Sequence, residues 1–63
     1  MGENIKKYRL KKGLSQQVLA DRSILSYEYI CRVEKGQKFI SLRSLFRIAD
    51  ALEIKMSDLI NFD

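Results

Sequence analysis

The chain has 63 residues, 46% of them apolar and 32% charged, a composition that fits one soluble globular domain over residues 1–63 and excludes a disordered chain. With no histidine and one cysteine, histidine acid–base chemistry, Cys–His nucleophiles, ordinary zinc sites and an internal disulfide are excluded, and so short a chain has little room for a pocket; no enzyme, cofactor, metal or small-molecule ligand is expected. The net charge of +4 is uneven, with eleven Lys and Arg against four Asp and Glu up to Ala49 (+7) and one against four beyond it (−3), which suggests a polyanion-facing surface opposite an acidic end.

Met1 to Asn4 are expected to be loose. No stretch supplies a signal-peptide apolar region or the roughly 18 apolar residues of a membrane span, and a lone cysteine suits a reducing compartment, so a cytoplasmic protein away from membranes is expected. Ile5 to about Lys12 reads as a helix, with Ile5 and Tyr8 one turn apart and Arg9 beside them. Gly13 ends it, since glycine takes a positive φ without penalty. Arg9, on or next to the apolar stripe, needs a partner or must reach out to water. Ser15 caps a second helix with Leu19 and Ala20 inward and Leu14 packing from outside the cap; it must stop by about Ser23. Ser26 caps a third, with Ile30 and Val33 inward and Leu25 stapling the entry. Its other side carries Tyr27, Glu28, Cys31, Arg32 and Lys35, and Gly36 closes it. Gln37 to Ile40 is a connector. Ser41 caps the longest helix, with Leu42, Leu45, Ile48, Ala49 and Leu52 on one stripe and Phe46 at its edge. Ser57 is expected to cap a last short helix, with Met56 before the cap. No segment alternates with a period of two, so the reading is all-α, with five helices.

Arg9, Gly13-Leu14-Ser15-Gln16, Leu19-Ala20, Leu25-Ser26, Ile30, Glu34-Lys35-Gly36, Ser41-Leu42, Leu45, Ile48-Ala49, Leu52 and Ser57-Asp58-Leu59 form a series. This series resembles the Xre family, the lambda-repressor-like or Cro/C1-type helix-turn-helix domain of phage and bacterial regulators, over about Ile5 to Ile60. The resemblance implies a compact five-helix lambda-repressor-like fold. Helices two and three would form the DNA-binding pair, with Tyr27 to Glu34 in the major groove. It also implies that Arg9 pairs with Glu34 as a buried structural clamp. The chain departs from the family pattern at Ile24, where a glycine is usual, at Phe39-Ile40, where Asn-Pro is common, and at Glu53, where glycine or asparagine is common. A β-branched residue at positive φ is strained, so the turn at Ile24 is expected to be reshaped, or Ile24 to stack on a neighbour.

Tyr27, Glu28 and Arg32 match positions from which family members reach base edges. Arg32 can chelate guanine O6 and N7, Glu28 can accept from cytosine N4, and Tyr27 can pack on a thymine methyl or bond a phosphate. The competing reading is a solvated face with an internal Glu28–Arg32 pair. Gln16, in the first turn of helix two, can clasp a phosphate together with free backbone N–H groups. Ser26, Tyr29, Lys35, Gln37, Lys38 and Arg43 suit positioning on the DNA backbone; for Tyr29 a partly buried packing role is equally open. Cys31 reads as a small filler or as a redox-sensitive thiol. Phe39, Ile40, Phe46, Ile60 and Phe62 exceed the apolar surface a small monomer needs, and Phe39, Ile40, Ile60 and Phe62 are candidates for a homodimer contact. The function implied is a double-stranded-DNA-binding transcriptional regulator, a repressor first, acting as a dimer on an inverted-repeat operator. The alternative is a protein-interaction module that keeps the fold without specific DNA binding.

Overall fold

Five helices in chain order carry the structure, a computed structural model that describes residues 2–60: α1 (Gly2–Lys11), α2 (Gln16–Ser23), α3 (Tyr27–Glu34), α4 (Leu42–Leu52) and α5 (Met56–Leu59). No strand occurs among the described residues. Their shared core holds Ile5 from α1, Leu19 and Ala20 from α2, Ile30 and Val33 from α3, Leu45, Ile48, Ala49 and Leu52 from α4, and Leu59 from α5. Each fully buried Leu or Ile side chain contributes about 1.5–3 kcal/mol, so the five short helices are held by packing and not by their own propensity.

The helix ends follow local chemistry. Ser15 Oγ accepts from Val18 N–H, Ser26 Oγ from Tyr29 N–H and Ser41 Oγ from Ser44 N–H, each at 3.1–3.2 Å, as short hydroxyl side chains do at N-caps. Gly13 (φ 71°) and Gly36 (φ 75°) turn the chain out of α1 and α3 in the left-handed region.

Four expectations are corrected. Gly2 to Asn4 are not loose; they form the first turn of α1. That turn lies against the end of α3 so closely that a Cβ on Gly2 would collide with the Val33 carbonyl oxygen. Asn4 Nδ2 then donates to the Leu59 carbonyl at 3.0 Å, which ties α1 to α5. Second, the turn after α2 is neither reshaped nor padded. Ile24 itself takes the left-handed conformation (φ 58°, ψ 42°) and is 78% exposed. The next amide, Leu25 N–H, bonds back to Ala20 O at 2.9 Å, so the ordinary helix-ending pattern forms and holds the isoleucine there. Glu53 does the same after α4, at the same angles. Third, Ser57 is not a cap. The cap is Lys55, two residues earlier, and the Asp58 carboxylate accepts from Lys55 N–H at 3.2 Å, so the acidic residue supplies the side-chain acceptor at this helix start. Fourth, Leu42 does not face the core but is 74% exposed in the first turn of α4. Ser44 is buried instead, its hydroxyl satisfied by Ser41 Oγ at 3.0 Å.

The angle of α3 is fixed from behind. Arg9 Nε donates to Glu34 Oε2 at 2.8 Å and Arg9 Nη2 to Glu34 Oε1 at 3.1 Å, with both residues buried. Arg9 Nη1 also donates to the Leu14 carbonyl at 2.8 Å. A planar guanidinium meeting a carboxylate by two bonds fixes direction as well as distance. It therefore joins α1, the α1–α2 turn and the end of α3 into one unit.

Candidate nucleic-acid interface

With Ile30 and Val33 turned into the core, the 3.6-residue period leaves the opposite side of α3 to solvent. Tyr27, Glu28 and Arg32 are exposed there, as the sequence places them, beside the exposed Lys35, Gln37 and Lys38 and the exposed Arg43 on α4. Ser26, Glu28, Tyr29, Arg32 and Lys38 line one open polar recess. The structure thus brings two base-reading candidates next to three of the backbone-positioning ones.

Glu28 and Arg32 also make the internal pair held open as the competing reading, Arg32 Nη2 to Glu28 Oε1 at 2.6 Å across one helical turn. Both side chains are more than half exposed. Such a pair is worth about 0–1 kcal/mol, so it is easily exchanged for a base edge.

Two candidates have inward partners. Gln16 does not stand free at the start of α2: its Nε2 donates to Glu34 Oε1 at 3.1 Å, and its Oε1 accepts from Cys31 Sγ at 3.2 Å. One of its two N–H groups stays available to an outside acceptor. Tyr29 is half-buried against the core, its hydroxyl accepts from Ser41 N–H at 3.4 Å, and the Lys38 ammonium stands 5.2 Å from its ring centroid. The packing role held open for it is occupied, and through it Tyr29 links α3 to the start of α4 and orients Lys38.

Cys31 is half-buried and free, but it is not a plain filler. It lies one turn after Tyr27 on the same face. The neighbouring Cys31 side chain, with a smaller contribution from desolvation, holds the Tyr27 phenol above the ordinary 10.0. Nothing in the sequence pairs Gln16 with Cys31, fifteen residues apart.

Phe39 is 99% exposed and, with the half-buried Ile40, borders a recess that Gly2, Val33, Gly36 and Lys38 complete. Ile60 is 41% exposed after α5, and Phe46, 62% exposed, borders a second recess with Ala49, Asp50, Ile54, Lys55 and Met56. Phe62 lies outside the described residues. No helix among the described residues is long and apolar enough to cross a membrane.

Comparison with known proteins places this geometry. The helix-turn-helix family model matches residues 5–59. The crystal structure of the restriction-modification controller protein C.AhdI from Aeromonas hydrophila superposes with a TM-score of 0.92 at 39% identity, covering 94% of this chain and 89% of that one. The control protein C.BamHI of Bacillus amyloliquefaciens is 34% identical over 62 residues, 97% of this chain and 76% of that protein. A helix-turn-helix-type transcriptional regulator of Archaeoglobus fulgidus is 35% identical over 63 residues, all of this chain and 90% of that protein.

Proposed function

This chain belongs to the helix-turn-helix family, and from that premise we propose that it regulates transcription by binding double-stranded operator DNA, with α3 in the major groove. One observation carries the reading: α3 exposes Tyr27, Glu28 and Arg32 on one side while the Arg9–Glu34 clamp fixes it from the other. A reading helix has to be both bare outside and rigidly held inside.

In this reading Tyr27, Glu28 and Arg32 meet base edges. Ser26, Lys35, Gln37, Lys38 and Arg43 hold the DNA backbone, and Gln16 contributes its remaining N–H. One such helix reads few base pairs. A two-fold dimer doubles the contacts on an inverted repeat with half-sites about 34–36 Å apart. The exposed Phe39, Phe46 and Ile60 are candidates for pairing. Likeness to restriction-modification control proteins supports a regulatory role.

The test is selection from a random duplex library at about 150 mM salt, where nonspecific phosphate binding is already weakened. The expected result is an enriched inverted repeat. A folded, helical protein that enriches no sequence would overturn the reading and leave the protein-interaction module in its place.

A further inference from the structure

Two consecutive glutamines open α2, and they are used differently. Gln17 Nε2 donates to Asp21 Oδ1 at 2.9 Å, one turn further along the same helix and in solvent. Gln16 instead reaches across to α3 and meets it twice. Its Nε2 donates to Glu34 Oε1 at 3.1 Å, and its Oε1 accepts from Cys31 Sγ at 3.2 Å. Cys31 and Glu34 stand three residues apart on α3, so one side of that helix offers the amide a donor and an acceptor together. The sense of both bonds is set from the buried end. Glu34 faces the Arg9 guanidinium with both oxygens and, as a carboxylate, can only accept. It therefore takes the amino end of the Gln16 amide, and the amide oxygen is turned toward the Cys31 S–H. The bond to Glu34 alone would let the amide swing about it. The bond from Cys31, at the other end, fixes its plane.

We propose that Cys31 is a positioning residue for a DNA phosphate: it braces Gln16 against Glu34, so that the remaining amide N–H of Gln16 is held ready for one phosphate oxygen. Glu34 uses one of the two N–H groups, and the other is what Gln16 still has to donate. A phosphate oxygen only accepts, and the first helix of a helix-turn-helix pair crosses the DNA backbone while the second enters the groove. A glutamine loses much rotamer freedom when it is ordered. Here that freedom is already lost in the free protein, so the contact forms without a further ordering cost. The brace also carries register. Gln16 belongs to α2 but is referred to two residues of α3, so the phosphate it meets stands at a fixed offset from the bases that α3 reads. The inference rests on the operator-binding reading above and adds the residue that orients one of its backbone contacts.

The experiment uses the enriched operator and a set of duplexes in which one phosphate at a time is replaced by an uncharged methylphosphonate. Affinities are measured for the wild-type protein, Gln16→Ala, Cys31→Ala and Cys31→Ser. At one position the replacement is expected to weaken the wild type roughly tenfold and Gln16→Ala about threefold or less, which identifies the phosphate that Gln16 meets. At that position Cys31→Ala is expected to respond more like Gln16→Ala than like the wild type, because its amide swings. Cys31→Ser, whose hydroxyl donates in place of the thiol, is expected to respond like the wild type. A merely structural role for Cys31 would weaken binding without regard to which phosphate is replaced; the brace confines the change to one. The inference is overturned if no phosphate depends on Gln16, if Cys31→Ala responds like the wild type, or if Cys31→Ser responds like Cys31→Ala.

A second readout needs no DNA. Nitrogen-15 relaxation of the Gln16 side-chain amide is expected to show an ordered Nε2 in the wild type and Cys31→Ser, and a more mobile one in Cys31→Ala. Equal order in all three overturns the brace even if an operator is found. Failure to enrich any operator, with the relaxation as expected, overturns the regulatory reading and the phosphate contact together while leaving the brace standing.

Discussion

At the scale of single residues, the arginine–glutamate pair and the side chains of α3 do separate jobs, and substitution should separate them. Arg9 and Glu34 are buried and satisfied by each other, by Leu14 and by Gln16. Arg9→Ala leaves a buried carboxylate without its counter-charge and is expected to cost about 3–5 kcal/mol in urea unfolding. The double change Arg9→Met, Glu34→Leu removes both charges and should cost less than Arg9→Ala alone; a larger cost would mean that the pair holds more than itself. On the exposed side, Arg32→Ala should lose about 1–3 kcal/mol of discrimination at one base pair of the operator. Lys38→Ala should weaken all duplexes alike and lower the slope of log affinity against log salt by about 1. A sequence-specific loss on Lys38→Ala would move that lysine from the backbone to the bases.

At the scale of helices and turns, the local rules were legible and the long-range ones were not. Ser15, Ser26 and Ser41 as caps and Gly13 and Gly36 as helix ends depend on three or four neighbouring residues, and all five stand where the sequence places them. The start of α5 was misread because Ser57 and Asp58 both offer an oxygen, and only the packed chain decides which one faces Lys55. The role of Gly2 was invisible, since its reason is a carbonyl thirty-one positions away at Val33. The Arg9–Glu34 pairing came from the family resemblance and not from spacing. The outward side of α3 was legible because periodicity alone assigns it; the inward partners of Gln16 were not, because they belong to another helix.

Two substitutions test these turns. Ile24 holds a left-handed conformation that costs a β-branched residue about 1–2 kcal/mol, and its side chain is mostly in water. Ile24→Gly removes the strain at some cost in chain entropy, so thermal unfolding should show a net gain of roughly 0.5–1.5 kcal/mol. A loss would show that the exposed isoleucine packs on something in solution. Gly2→Ala should lower stability by about 1–3 kcal/mol, because the first turn of α1 must move off the end of α3.

For the whole molecule, charge is the governing property. Exposed cations stand around the exit of α3 and along α1 and just past its end, where Lys6, Lys7, Lys11 and Lys12 are all exposed. A dimer that neutralises six or more phosphates should lose about a thousandfold or more in affinity between 50 and 200 mM salt. The preference among operators should change far less over that range, since base contacts release few counterions. Titration at four salt concentrations checks both, and a flat affinity would deny that the basic face meets DNA.

The bond between Asn4 and the Leu59 carbonyl has a further consequence. Residues separated by nearly the full length of the described chain meet within 3.0 Å, so a short flexible linker can join the segments that carry Asn4 and Leu59 while a new start is cut elsewhere. The connector at 37–40 is a natural place to cut, with Lys38 and Phe39 both in solvent. Such a rewired molecule would keep its core contacts and release only that connector. Its folding and its grip on DNA could then be measured apart, and the share of each owed to continuity through Lys38 and Phe39 read directly.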